Sequence, residues 1–125
     1  PAAEPPRDPE AMAQAMEADS PDGISDPMLK SFRHFADEQK EDRLALAACS
    51  RGPREAITPD ALFAVRRPTL VIAGTRDQLA GPPDGLARAI AGAKSVTIPG
   101  CDHFSMIAHG LFKASVFDFF DGWLE

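Results

Sequence analysis

Two residues of this chain are well placed for proton chemistry, a carboxylate and an imidazole that each follow a short apolar run. Asp77 closes the turn 74–77 after residues 69–73 (Thr-Leu-Val-Ile-Ala), and His103 follows residues 95–98 (Ser-Val-Thr-Ile). Short runs rich in branched residues are typical of buried strands. A carboxylate that accepts the Nδ1–H of a histidine fixes its tautomer and stabilises the imidazolium formed when Nε2 takes a proton. The pattern therefore predicts the acid and base of a nucleophilic hydrolase site.

The segment between the two strands predicts a helix. Pro82, Pro83 and Asp84 open it and Gly92 ends it, with Leu86, Ala87 and Ile90 on one side. Two short strands joined by a helix form a right-handed parallel crossover, so both strands end at the same edge of the sheet. Ligand crevices form at that edge, and we expect the two side chains to meet there.

Helices are predicted on both sides of this unit. Residues 1–8 are proline-rich and indicate a linker or a frayed end. Asp8-Pro9 and Asp26-Pro27 are helix-start signals, and Thr58-Pro59 begins a short helix. The charged stretch 37–43 indicates a turn between two helices or the wet side of one long helix. The last helix, over about 110–124, is expected to bury an aromatic stripe (Phe112, Val116, Phe119, Phe120 and Trp123).

Composition excludes several classes of protein. The net charge of −6 and the absence of a basic patch argue against nucleic-acid binding. No apolar run approaches the roughly 20 residues that span a bilayer, so no membrane segment is expected. Two cysteines in a mixed α/β chain of 125 residues favour free thiols and a cytoplasmic location.

Residues 74–77 (Gly-Thr-Arg-Asp) after an apolar strand, followed by residues 98–103 (Ile-Pro-Gly-Cys-Asp-His), resemble the C-terminal half of the α/β-hydrolase fold family. In that family the catalytic acid follows the seventh strand and the catalytic histidine the eighth, which correspond to Asp77 and His103. The resemblance covers about 55–124. It implies an α/β fold with a βαβα unit and an incomplete parallel sheet (54–125), preceded by cap-like helices (9–53).

The chain departs from the family in one large respect. It contains no Gly-x-Ser-x-Gly turn, which in the family exposes the nucleophile beside an oxyanion hole. Because the chain begins at Pro1 and not at methionine, we expect the nucleophile to lie upstream. The resemblance then implies a fragment of a serine-type hydrolase that cleaves an ester, lactone, amide or similar bond and is inactive alone. A small, partly apolar substrate is expected, and no cofactor is implied.

Other residues near His103 are weaker candidates. Cys101 and Ser105 lie two residues from His103, too close in sequence to align with its ring without a strained loop. Asp102 is adjacent to His103 and normally points away from it, so Asp77 is preferred as the acid. The cluster of Cys101, Asp102, His103 and His109 fits no usual zinc spacing, so no metal site is predicted.

Two questions of assembly and function remain open at this stage. Two parallel strands alone do not form a stable layer, so the open sheet edge is expected to be covered by the missing N-terminal half or by a second copy of this chain.

An alternative function is a non-catalytic binding or interaction module, whose apolar surface would use residues of the helical segment (Met12, Met16, Met28, Phe32 and Phe35). A third interpretation is an enzyme of the same fold that uses an aspartate as its nucleophile.

Overall fold

The structure, a computed structural model, describes residues 8–122. The chain divides into two compact units, the first ending at Glu55 and the second beginning at Ala56, two residues beyond the boundary that the sequence predicts. Within the described residues there are six α-helices and a two-stranded parallel sheet, which confirms the α/β class. The predicted N-terminal linker lies outside the described residues except for Asp8.

The first unit contains three helices: α1 (Pro9–Glu17), α2 (Pro27–Glu38) and α3 (Arg43–Arg51). The Asp8 and Asp26 carboxylates cap the first two by accepting backbone N–H groups, as predicted. A short 3-10 turn, Pro21–Gly23, joins these helices. The charged stretch 37–43 spans the end of α2, a turn over residues 39–42 and the first residue of α3, so two helices joined by a turn are present, the first of the two alternatives.

Three of the four residues in the buried core cluster of the first unit are alanines. Ala13 and Met16 of α1, Ala36 of α2 and Ala47 of α3 are buried together, and these alanines allow the helices to approach closely. Spacings of three and four along α2 predict one buried apolar face (Met28, Leu29, Phe32, Phe35 and Ala36). The prediction is wrong at Phe35, which is 41% exposed. The charged residue Arg33 is buried on α2 next to that face.

Two arginines hold the C-terminal end of α1. Arg33 is only 2% exposed, and its Nη1 donates to the carbonyl oxygens of Ala15 and Ala18 at 2.9 and 2.7 Å. Its Nε donates to Asp37, and Arg43 donates to the Ala18 oxygen at 3.0 Å. The last carbonyls of a helix lack intrahelical partners and carry partial negative charge. The arginines therefore satisfy groups that burial would leave unpaired.

The second unit carries the sheet. It contains α4 (Pro59–Phe63), β1 (Leu70–Gly74), α5 (Asp84–Ala89), β2 (Lys94–Ile98), a 3-10 turn (Ser105–Ala108) and α6 (Gly110–Phe120). Strands β1 and β2 are parallel, in register from Leu70 opposite Lys94 to Gly74 opposite Ile98. The predicted order of strand, helix, strand and helix is confirmed.

Burial in the second unit differs in part from the prediction. Ile98 is fully buried, but Leu70, Val71 and Ile72 are only half-buried, although the run was expected to be buried on both faces. Phe120, expected in the core stripe of α6, is 79% exposed. Trp123, another member of that stripe, lies outside the described residues. Because α6 is apolar around most of its circumference, composition alone does not say which aromatics face the core.

None of the helices between residues 8 and 122 combines the length and the apolar character needed to cross a membrane.

Candidate functional site

Asp77 lies in a tight turn directly after β1. Its Oδ1 accepts the backbone N–H groups of Leu79 and Ala80 at 3.0 and 2.8 Å, and the Gly81 N–H donates to its carbonyl oxygen. The Asp77 side chain is fully buried. This Asx-type turn fixes the carboxylate, so its second oxygen points in one direction.

That second oxygen meets the imidazole. The distance from His103 Nδ1 to Asp77 Oδ2 is 2.8 Å. His103 lies on the loop after β2, and its side chain is 36% exposed. The contact expected from the sequence is therefore present in the structure, with a buried carboxylate behind a half-buried histidine.

Backbone contacts tie the loop after β1 to the loop after β2. The Thr75 N–H donates to the Ile98 oxygen at 3.0 Å, and the Arg76 N–H donates to the Cys101 oxygen at 2.9 Å. The Thr75 hydroxyl oxygen accepts the Gly100 N–H at 2.7 Å. These bonds hold the two loops in a single arrangement, which sets the separation of the acid and the imidazole.

Gly74 allows this close approach. A Cβ atom at position 74 would lie 2.0 Å from the Cys101 carbonyl oxygen, inside any permitted contact. Glycine at the end of a strand therefore marks the place where one backbone passes against another. Sequence reasoning placed Gly74 in the turn but did not identify this packing role, nor that of the Thr75 hydroxyl.

The electrostatics of the pair favour an ionised carboxylate. Burial by itself raises the pKa of the Asp77 carboxyl, but the hydrogen bonds from the Ala80 amide, from His103 and from the Leu79 amide outweigh it. The net result is a pKa below the ordinary value of 3.8. Asp77 is therefore an anion at neutral pH, able to keep a proton on Nδ1 of His103.

Asp102 and Ser105 form a separate local turn. The Asp102 Oδ1 accepts the Phe104 and Ser105 N–H groups and the Ser105 hydroxyl. The Ser105 N–H, followed by its hydroxyl, lowers the pKa of the Asp102 carboxyl. Asp102 thus stabilises the loop that carries His103, while Asp77 contacts the ring, as the sequence reading preferred.

The remaining candidates lie elsewhere. Cys101 is buried and its backbone carbonyl lies against Gly74, and both Cys101 and Cys49 are free thiols. His109 caps α6, where its Nδ1 accepts the Leu111 N–H at 3.1 Å. Across residues 8–122, no three or more His, Cys, Asp or Glu side chains come together in a way that would hold a metal ion.

The arrangement can move protons. With Nδ1 donating to the Asp77 carboxylate, the neutral ring of His103 carries its lone pair on Nε2. The buried negative charge stabilises the imidazolium that forms when Nε2 accepts a proton.

No protein-family model matches this chain, and a search of curated proteins finds no relative.

Proposed function

We propose that this chain supplies the acid and the histidine of a serine-type α/β-hydrolase. The observation that supports the proposal is the hydrogen bond between Asp77 and His103, formed on loops that follow two adjacent parallel strands. In an open parallel sheet these loops lie at the edge where reactive groups are assembled. The pair has the residue types, the order along the chain and the contact that such an enzyme requires.

The chemistry assigns each residue one role. His103 Nε2 takes the proton from a nucleophilic hydroxyl as its oxygen attacks the substrate carbonyl carbon, and then gives that proton to the departing alcohol or amine. In the second half of the reaction the same nitrogen takes a proton from a water molecule as the water oxygen attacks the acyl carbon. It then gives that proton to the serine oxygen as the bond between the acyl carbon and that oxygen breaks, which releases the acid product and restores the hydroxyl. Asp77 remains ionised throughout and holds the ring.

We propose that the nucleophile, for which this sequence contains no Gly-x-Ser-x-Gly turn, arrives on further strands of the same sheet. Strand β2 exposes Lys94, Ser95 and Thr97, a polar pattern suited to an outer edge. Strand β1 presents the apolar run Leu70–Gly74, only half-buried at its start. We therefore place the nucleophile-bearing part along the edge of β1 that faces away from β2.

The substrate in this proposal is a small, partly apolar ester, lactone, amide or similar compound, and the helical first unit corresponds to the cap-like segment of the resemblance. Met16 is buried in the core of that unit, so it is not part of the apolar surface that the alternative, non-catalytic module would use. The free thiols of Cys49 and Cys101 fit a cytoplasmic enzyme.

A fluorophosphonate probe tests the proposal, because it labels a serine only when a general base activates it. The test uses the protein expressed from its complete reading frame. We expect labelling that is abolished by His103→Gln and reduced by orders of magnitude by Asp77→Asn. His34→Gln is the matched control, since His34 is an exposed histidine on α2, and labelling should persist.

If the folded parent protein is not labelled, that result would contradict the hydrolase proposal. That result would leave two interpretations: an enzyme with an aspartate nucleophile, and the non-catalytic module, in which the Asp77 carboxylate serves only its turn amides and the His103 ring. Labelling that survives His103→Gln would likewise remove His103 from the role of base.

A further inference from the structure

Helix α6 is apolar on two opposite faces. One face contacts the rest of the second unit and contains buried or half-buried residues (Phe112, Ser115, Val116 and Phe119). On the other face Phe117 is 69% exposed and Phe120 is 79% exposed. A helix that is apolar all round is normally covered on all sides, and large exposed aromatics mark interaction surfaces.

The exposed face has a definite pattern. We call it the α6 seam, and its members are all exposed: Lys113, Ala114, Phe117, Phe120 and Asp121. The spacing of one, three, three and one places them on a single stripe of the helix. Lys113 and Asp121 form no ion pair within residues 8–122.

The seam is complementary to itself. If a second α6 runs antiparallel with a twofold axis at Phe117, each residue meets the one equally far on the other side of Phe117. Lys113, four residues before, then faces Asp121, four residues after. Ala114, three residues before, faces Phe120, three residues after, so a small side chain receives a large one.

We propose that the α6 seam is a self-association surface on which two copies of this chain pair antiparallel. Twofold contacts require a patch that matches itself, and here charge and size both match about one centre. The two Phe117 rings meet at the axis, and two Lys113–Asp121 ion pairs close the ends. The charges of Lys113 and Asp121 within the stripe disfavour a bilayer as the occupant.

The expected dimer is weak. One pair of 11-residue helices falls below the roughly 1,200 Å² of buried surface that stable complexes use. We therefore expect a dissociation constant on the order of 10–100 µM. Sedimentation equilibrium of the full chain at low salt, over a concentration series that spans this range, measures it.

Charge exchange provides the specific test. Lys113→Asp or Asp121→Lys alone sets like charges against each other at both ends, and we expect each to weaken dimerisation by about tenfold. The double variant restores two opposite-charge pairs and should recover the original dissociation constant. Phe117→Asp should abolish the dimer.

Asp118→Lys is the matched control, because it makes the same charge change as Asp121→Lys on the same helix but lies off the seam. Its dissociation constant should stay within about twofold of the parent chain. A parent chain that is monomeric throughout the series would overturn the proposal. A dimer that responds to Asp118→Lys as it does to Asp121→Lys, or that the double variant fails to restore, would also overturn it.

Discussion

Replacing Gly74 with alanine tests whether the close passage of the two loops organises the site. The added Cβ would sit 2.0 Å from the Cys101 carbonyl oxygen, where real contacts are essentially never under 3.0 Å. The two backbones must therefore separate by about 1 Å, since neither partner is a side chain that can rotate away. A shift of that size breaks the 2.9 Å bond from the Arg76 N–H to the same oxygen.

The expected cost follows from these contacts. Forcing a methyl group into a packed site costs about 1–3 kcal/mol, and the lost hydrogen bond adds about 1 kcal/mol. Gly74→Ala should therefore lower the free energy of unfolding by about 2–4 kcal/mol. With a urea dependence of the unfolding free energy of about 2 kcal/mol/M, the unfolding midpoint should fall by roughly 1–2 M.

Gly85→Ala is the control in the same unit. Gly85 lies in α5, and a Cβ there would meet nothing within 4 Å, so the substitution should stabilise the chain by about 0.4–1 kcal/mol. A Gly74→Ala variant as stable as the parent, with the His103 imidazole resonances unchanged, would refute the view that this contact sets the position of the site.

Three further outcomes are expected. Thr75→Val removes the acceptor of the Gly100 N–H and should lower the free energy of unfolding by about 1 kcal/mol, measured by urea unfolding. Thr75→Ser keeps a hydroxyl and should retain most of the stability. Equal losses in the two variants would show that the hydroxyl does not stabilise the loops. Arg33→Ala should destabilise the first unit by about 2–4 kcal/mol, measured by loss of helical circular dichroism, and Arg33→Lys should restore little because lysine lacks the planar fork. Since the pKa of Asp77 is lower in the folded chain than in the unfolded chain, its stabilisation is complete above the ordinary value of 3.8 and is lost as pH falls below it. Acid titration of Asp77→Asn should therefore show a smaller loss of stability than the parent, and an identical acid profile would contradict this.

The sequence predicts the position of the acid–histidine pair because that position depends on topology. Short apolar runs give strands, and a connecting helix makes them parallel neighbours, so Asp77 and His103 emerge at one edge. The helix starts at Asp8 and Asp26 were predictable for a similar local reason, since a capping carboxylate acts within two or three residues.

Other features depend on partners that the sequence pattern does not reveal. Periodicity treats Arg33 as a surface residue, yet its burial is stabilised by carbonyl groups 15 and 18 residues away along the chain. On α6, Phe119 and Phe120 are equally apolar, and only packing decides that one is half-buried while the other is exposed. Gly74 reads as an ordinary turn glycine until the Cys101 backbone is placed against it.

The proton positions on the His103 ring test the central claim most directly. Nitrogen-15 and proton NMR of the labelled chain, at alkaline pH where imidazoles are neutral, reports which ring nitrogen carries hydrogen, with His34 as an exposed reference in the same spectrum. We expect a proton fixed on Nδ1 and none on Nε2, and we expect Asp77→Asn to abolish this preference. A ring protonated on Nε2, or one that exchanges between the two forms, would contradict the account.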